Sequence, residues 1–169
     1  MQPGSLPDDH EQIVASTWAL SIDRANTADP AGMARPLLEL LSVLDPNGIP
    51  YSVLTSPSVL ARLAVDTPDQ VRRGLRVLHG FNLITHNPDA THREIRVHQL
   101  IQRATYEALT PDQQLDTAYL AADTLQQTWP DIESDELGTI LRANITALRE
   151  TTGTALWQRN NEIHRASLG

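Results

Sequence analysis

Arg93-Glu94-Ile95-Arg96-Val97-His98-Gln99-Leu100-Ile101-Gln102 decides the fold, because an alternating pattern runs into a helical one with a histidine at the join. From Glu94 to Val97 apolar and charged residues alternate at the period of a half-buried strand. Leu100, Ile101 and Leu109 then mark a helix leaving it. Upstream, Phe81 to Thr85 is a second strand-like run, and the polar segment from His86 to His92 between them is rich in turn residues. The pattern predicts a β-hairpin that feeds a helix.

Working outward, Thr67-Pro68-Asp69-Gln70 reads as a capping box with proline at the first helical position, where its missing N–H costs nothing. The helix it opens is expected to bury Val71, Leu75 and Leu78, to expose Arg72, Arg73 and Arg76, and to end at Gly80. Ahead of it, Met33, Leu37, Leu40, Leu41 and Leu44 recur at helical steps until Asp45-Pro46-Asn47-Gly48 stops them with turn chemistry. Ile49 to Leu54 reads as an extended or loosely helical link, and Ser56-Pro57 opens a short helix with Val59, Leu60 and Leu63. A first helix carries Ile13, Val14, Trp18, Leu20 and Ile22 and ends near Asn26, preceded by a flexible lead-in over residues 1–10.

Downstream, Thr110-Pro111-Asp112-Gln113 repeats the capping signal ahead of a stripe of Leu115, Ala118, Tyr119, Ala122 and Leu125, closed by Trp129-Pro130. After an acidic loop a second stripe follows, Leu137, Leu141, Ile145 and Leu148, and then a last window over 154–167. Trp18 and Trp129 are expected to pack. Residues 110–169 therefore read as the opening helices of a tetratricopeptide-like solenoid, too few to bury both faces, so the end at Gly169 suggests a truncation.

Composition narrows the chemistry. All 13 basic residues are arginine, so neither a phosphate loop G-x-x-x-x-G-K-[ST] nor a Schiff-base lysine can be present. Cysteine is absent, which removes thiol nucleophiles, disulfides and thiolate metal sites and suits a cytoplasmic protein. No apolar run approaches the ~18 residues of a membrane span. The net charge of −8 hides an island: residues 67–103 hold 6 Arg against 3 Asp/Glu, whereas both flanks are acidic.

Three segments carry a resemblance: Ala15-Ser16-Thr17-Trp18-Ala19-Leu20-Ser21, Leu40-Leu41-Ser42-Val43-Leu44-Asp45-Pro46-Asn47-Gly48-Ile49-Pro50, and Val97-His98-Gln99-Leu100-Ile101-Gln102. In order and spacing they resemble the winged-helix module of NB-ARC (STAND) signalling NTPases, found between the ATPase core and a tetratricopeptide repeat array. The resemblance covers residues 11–109, which it implies form the winged-helix domain. It also implies that His98 matches the family histidine that contacts the β-phosphate of ADP, with Gln99 standing where the family has an acidic residue. The expected fold is mainly α: a winged helix, helices plus a small β-hairpin, followed by tetratricopeptide-like helices.

The implied function is regulatory and non-catalytic. It couples an upstream nucleotide-binding domain to a downstream repeat array, with ADP or ATP held by the intact protein and no cofactor held by this chain alone. Two alternatives stay open. Arg72, Arg73, Arg76, Arg93 and Arg96 could meet DNA phosphates, as in a winged-helix transcriptional regulator, although a net charge of −8 opposes approach to DNA. Interdomain salt bridging is the preferred reading of these arginines. The third reading is a freestanding protein-interaction adaptor. Equal spacing of His86, His92 and His98 invites a metal site, but six strand residues separate His92 from His98 by about 20 Å. No local enzyme signature such as G-x-S-x-G or H-E-x-x-H occurs.

Overall fold

Leu37-Leu38-Glu39-Leu40-Leu41-Ser42-Val43-Leu44 is apolar on almost every side of a helical turn, so it can only be stable at the centre of the molecule. A computed structural model describes residues 6–131 and 135–153, residues 6–11 and Val14 by backbone alone. In it, helix α2 (Ala34–Leu41) packs against α1 (Leu6–Thr27), α5 (Pro68–Gly80), α6 (Gln99–Glu107) and α7 (Pro111–Thr128). Leu37, Leu38, Leu40 and Leu41 are buried, as are Val43 and Leu44 beyond the helix end. The close approach of α5 needs Gly74, where an added Cβ would sit 2.7 Å from Leu37 Cδ1.

The chain is mainly α-helical, with one two-stranded antiparallel sheet. Strands β1 (Ile84–His86) and β2 (Ile95–Val97) pair Ile84 with Val97, Thr85 with Arg96 and His86 with Ile95, so the expected hairpin forms. Its first strand starts at Ile84 and includes His86, because residues 81–83 close the end of the preceding helix. A third extended segment joins it. Ile49 exchanges hydrogen bonds with Ile95 at 2.8 and 3.2 Å. The expected link over Ile49 to Leu54 is thus split: Ile49 pairs with the sheet edge, Pro50 turns, and helix α3 (Tyr51–Leu54) follows before α4 (Pro57–Leu63).

The helix α5 buries Val71, Leu75 and Leu78 as its periodicity predicts. Its box is closed by Gln70 Oε1, which accepts from the Thr67 and Asp66 N–H groups at 3.1 and 2.9 Å. Gly80 is the last helical residue, but the left-handed position that ends the helix is Asn82 (φ 58), and Leu83 N–H returns to Leu78 O at 3.0 Å. Helix α4 ends the same way at Ala64 (φ 55). The first helix starts earlier than expected, at Leu6, within the stretch read as a lead-in.

Helices α7 and α8 (Asp135–Thr152) pack on each other, and the buried set continues from α2 into Ala118, Ala121, Leu125, Leu141 and Leu148 without a break. The face of α7 that is buried comprises Thr117, Ala118, Ala121, Thr124 and Leu125, rotated from the stripe of larger apolar residues. Thr124 belongs there because its hydroxyl bonds the Val53 carbonyl and Ser56 Oγ. On α8, Asn144 is fully buried; its Oδ1 accepts from Asp45 N–H at 3.0 Å, and its Nδ2 donates to Gly48 O and Ile140 O at 3.1 and 2.9 Å. Trp18 and Trp129 lie partly buried against the core, as expected. The window over 154–167 lies outside the described residues.

Replacing Asn144 with alanine strands buried backbone groups at Asp45 and Gly48. The expected loss is about 2–4 kcal/mol of unfolding free energy, read by urea denaturation at unchanged m; a loss under ~1 kcal/mol contradicts this role. Ala64→Gly removes a left-handed alanine and should raise stability by about 0.5–1 kcal/mol, seen as a higher melting temperature.

Candidate functional site

The strand β2 delivers His98 to the first residue before α6, where φ −69 and ψ 138 place it as the N-cap. Its Nδ1 accepts a hydrogen bond from the Leu100 N–H at 3.1 Å. The ring lies 6.2 Å from that of Trp18 on α1, and the side chain is exposed. A ring that accepts at Nδ1 carries its proton on Nε2, so the free edge of His98 is a hydrogen-bond donor. Gln99 beside it is exposed. Gln102, one turn on, points inward instead and donates to Leu41 O and Leu44 O at 2.8 and 2.7 Å.

Arg96 shares the outward face of β2 with His98, since residues two apart in a strand point the same way. Both line a shallow depression of about 410 Å³ with His79, Asn82, Thr85 and Ile101. Arg72 and Arg76 line a second one, about 370 Å³, between α5, the start of α3 and the hairpin. His79 borders both, and its Nδ1 lies 3.3 Å from Ile84 O.

The arginine set is therefore not one surface. Arg72 sits over the Tyr51 ring, 5.3 Å from its centre, and is 3.6 Å from Asp69 in an exposed ion pair of little energetic weight. Arg73 is exposed on α5 and borders neither depression. Arg93 is half-buried, its aliphatic stem against Gly48, where an added Cβ would come within 2.8 Å of Arg93 Cγ. That makes it a packing residue at the turn.

The second depression holds groups the sequence did not single out: Tyr51, His79 and Glu94. Tyr51 is held at both ends. Its N–H donates to Glu94 Oε2 at 3.1 Å and its hydroxyl to Pro68 O at 3.0 Å. His86 stacks at 6.5 Å from the Tyr51 ring. Partial burial pushes the His86 imidazole below its ordinary value; His79, Arg72 and Arg76 add repulsion, and Glu94 opposes them. The spacing of Arg72, Arg76 and His79 on one helical face was a readable signal. Nothing local ties Tyr51 or Glu94 to it.

His86, His92 and His98 do not converge on a metal. His92 occupies a left-handed turn position, and among the described residues no three His, Cys, Asp or Glu side chains are grouped to hold an ion. No described helix is long and apolar enough to cross a membrane.

Residues 26–114, more than half of the chain, match the family model described as Domain of unknown function (DUF7779), and the chain belongs to that family. The matched region runs from the last turn of α1 through the hairpin into the first turn of α7, so it contains both depressions. Comparison with curated proteins and with solved structures gave no match.

His86 has a folded-state pKa below its ordinary value of 6.5, so its contribution to stability is present above that value and is lost as pH falls through it toward the folded midpoint. Side-chain NMR titration should place His86 below 6.5. Arg76→Ala should move the midpoint slightly upward by removing the weakest of the repelling charges, while burial keeps it below 6.5; a midpoint at or above 6.5 in the parent contradicts the assigned cause.

Proposed function

We propose that this chain is the winged-helix coupling module of an NB-ARC-type signalling NTPase. It is non-catalytic and cytoplasmic, and sits between a nucleotide-binding domain and a tetratricopeptide array. The supporting order is helix α2, the extended Ile49, helices α3 to α5, the β1–β2 hairpin and α6, with α7 and α8 as the opening helices of the array. The observation that carries the reading is the state of His98. Its Nδ1 is used by the α6 cap, which leaves the Nε2–H edge as a donor on an exposed face beside Arg96. Those two donors suit a phosphate oxygen of ADP bound by a neighbouring domain.

The chain carries no phosphate loop of its own, since the lysine of that motif is missing. Its role is to be reoriented as a body when the contact at His98 is made or lost. Partners are then the nucleotide-binding domain on one side and the repeat array on the other.

The test begins with the coding sequence on either side of this chain, which should encode G-x-x-x-x-G-K-[ST] upstream and ~34-residue repeats downstream. In that longer protein His98→Asn keeps an N-cap oxygen and removes the imidazole donor. Retention of ADP should fall roughly tenfold while thermal stability holds; unchanged retention sinks the assignment. A second reading, DNA binding through the exposed arginine face of α5, predicts salt-sensitive affinity lost together in Arg72, Arg73 and Arg76 variants.

A further inference from the structure

We propose that the cleft bordered by Tyr51, Arg72, Arg76, His79, His86 and Glu94 is a binding site for the phosphate group of a small phosphomonoester or of free phosphate. Four positively charged or protonatable groups reach it from two elements. Arg72, Arg76 and His79 come from successive turns of α5, and His86 comes from β1 across the cleft. One carboxylate, Glu94, faces them, and one of its oxygens is occupied by the Tyr51 N–H.

This is an excess of donors over acceptors. Among the described residues Arg76 has no ion-pair partner, and the pair made by Arg72 with Asp69 is exposed and 3.6 Å long. Like charges and burial disfavour a proton on His86, so the cleft is electrostatically unrelieved as it stands. An anion placed between α5 and β1 offsets the repulsion that His79, Arg72 and Arg76 exert on His86.

Phosphate fits better than a carboxylate on two counts. It offers three strong acceptor oxygens and carries a charge of about −1.5 to −2 near neutral pH, which matches two guanidinium groups and an imidazole. The cleft is also prebuilt. Tyr51, which forms its wall, is fixed by hydrogen bonds at its backbone and at its hydroxyl, so little ordering remains to be done when a ligand arrives. At about 370 Å³ it is larger than one phosphate group, leaving room for the group's substituent. The site is separate from His98, which borders the other depression.

The experiment is histidine side-chain NMR of the whole chain, titrated with inorganic phosphate or glycerol phosphate against sodium chloride at matched ionic strength. Phosphate should raise the His86 midpoint and perturb His79, and Arg76→Ala should weaken binding about tenfold. Arg73→Ala, one residue from Arg72 but outside the cleft, and His98→Asn should bind as the parent does. Tighter binding of glycerol phosphate than of inorganic phosphate identifies a phosphorylated small molecule as the ligand; equal binding identifies the free ion. A shift of the same size in chloride, or equal losses in Arg73→Ala and Arg76→Ala, reduces the effect to diffuse screening and overturns the proposal.

Discussion

The turn from Leu41 to Ile49 is buried through most of its length, and a buried turn must find partners for backbone groups that helices and sheets no longer satisfy. They come from three distant parts of the chain. Gln102 on α6 takes Leu41 O and Leu44 O, Asn144 on α8 takes Asp45 N–H and Gly48 O, and β2 bonds Ile49 through Ile95 and Pro46 through Val97. A buried polar group left unmade costs about 1–3 kcal/mol. The hairpin, α6 and α8 are thereby fixed around one point, and the two depressions inherit their geometry from it.

Much of the fold was legible because its signals are local. Thr67 and Thr110 announce their helices through proline and glutamine at set offsets, and the hairpin follows from alternation on either side of a turn-rich loop. The polar plugs were not legible. Asn144, Gln102 and Thr124 carry no local burial signal, because only their partners, some 58 to 99 residues away in sequence, make burial tolerable. The helix stop at Gly80 was legible, but not the left-handed residue behind it: asparagine tolerates that position nearly as well as glycine, and Asn82 holds it.

The site was half legible. His98 stood out because it lies where two periodicities meet, and that junction is where a helix requires a cap. The arginines were read as one group from their proximity in sequence. Side-chain direction divides them: Arg96 goes with His98, Arg72 and Arg76 with Tyr51 and His86, and Arg93 with the backbone of Gly48. Net charge by segment locates a positive field; it does not say which concavity receives it.

Pro46 O accepts from Val97 N–H, and Val97 is the residue before His98. On its other side the same turn is gripped by Asn144. Helix α8 and the histidine are thus joined through the turn by a short series of hydrogen bonds and one peptide link. The capping ring is placed like the tip of a lever whose fulcrum is the buried turn and whose handle is α8.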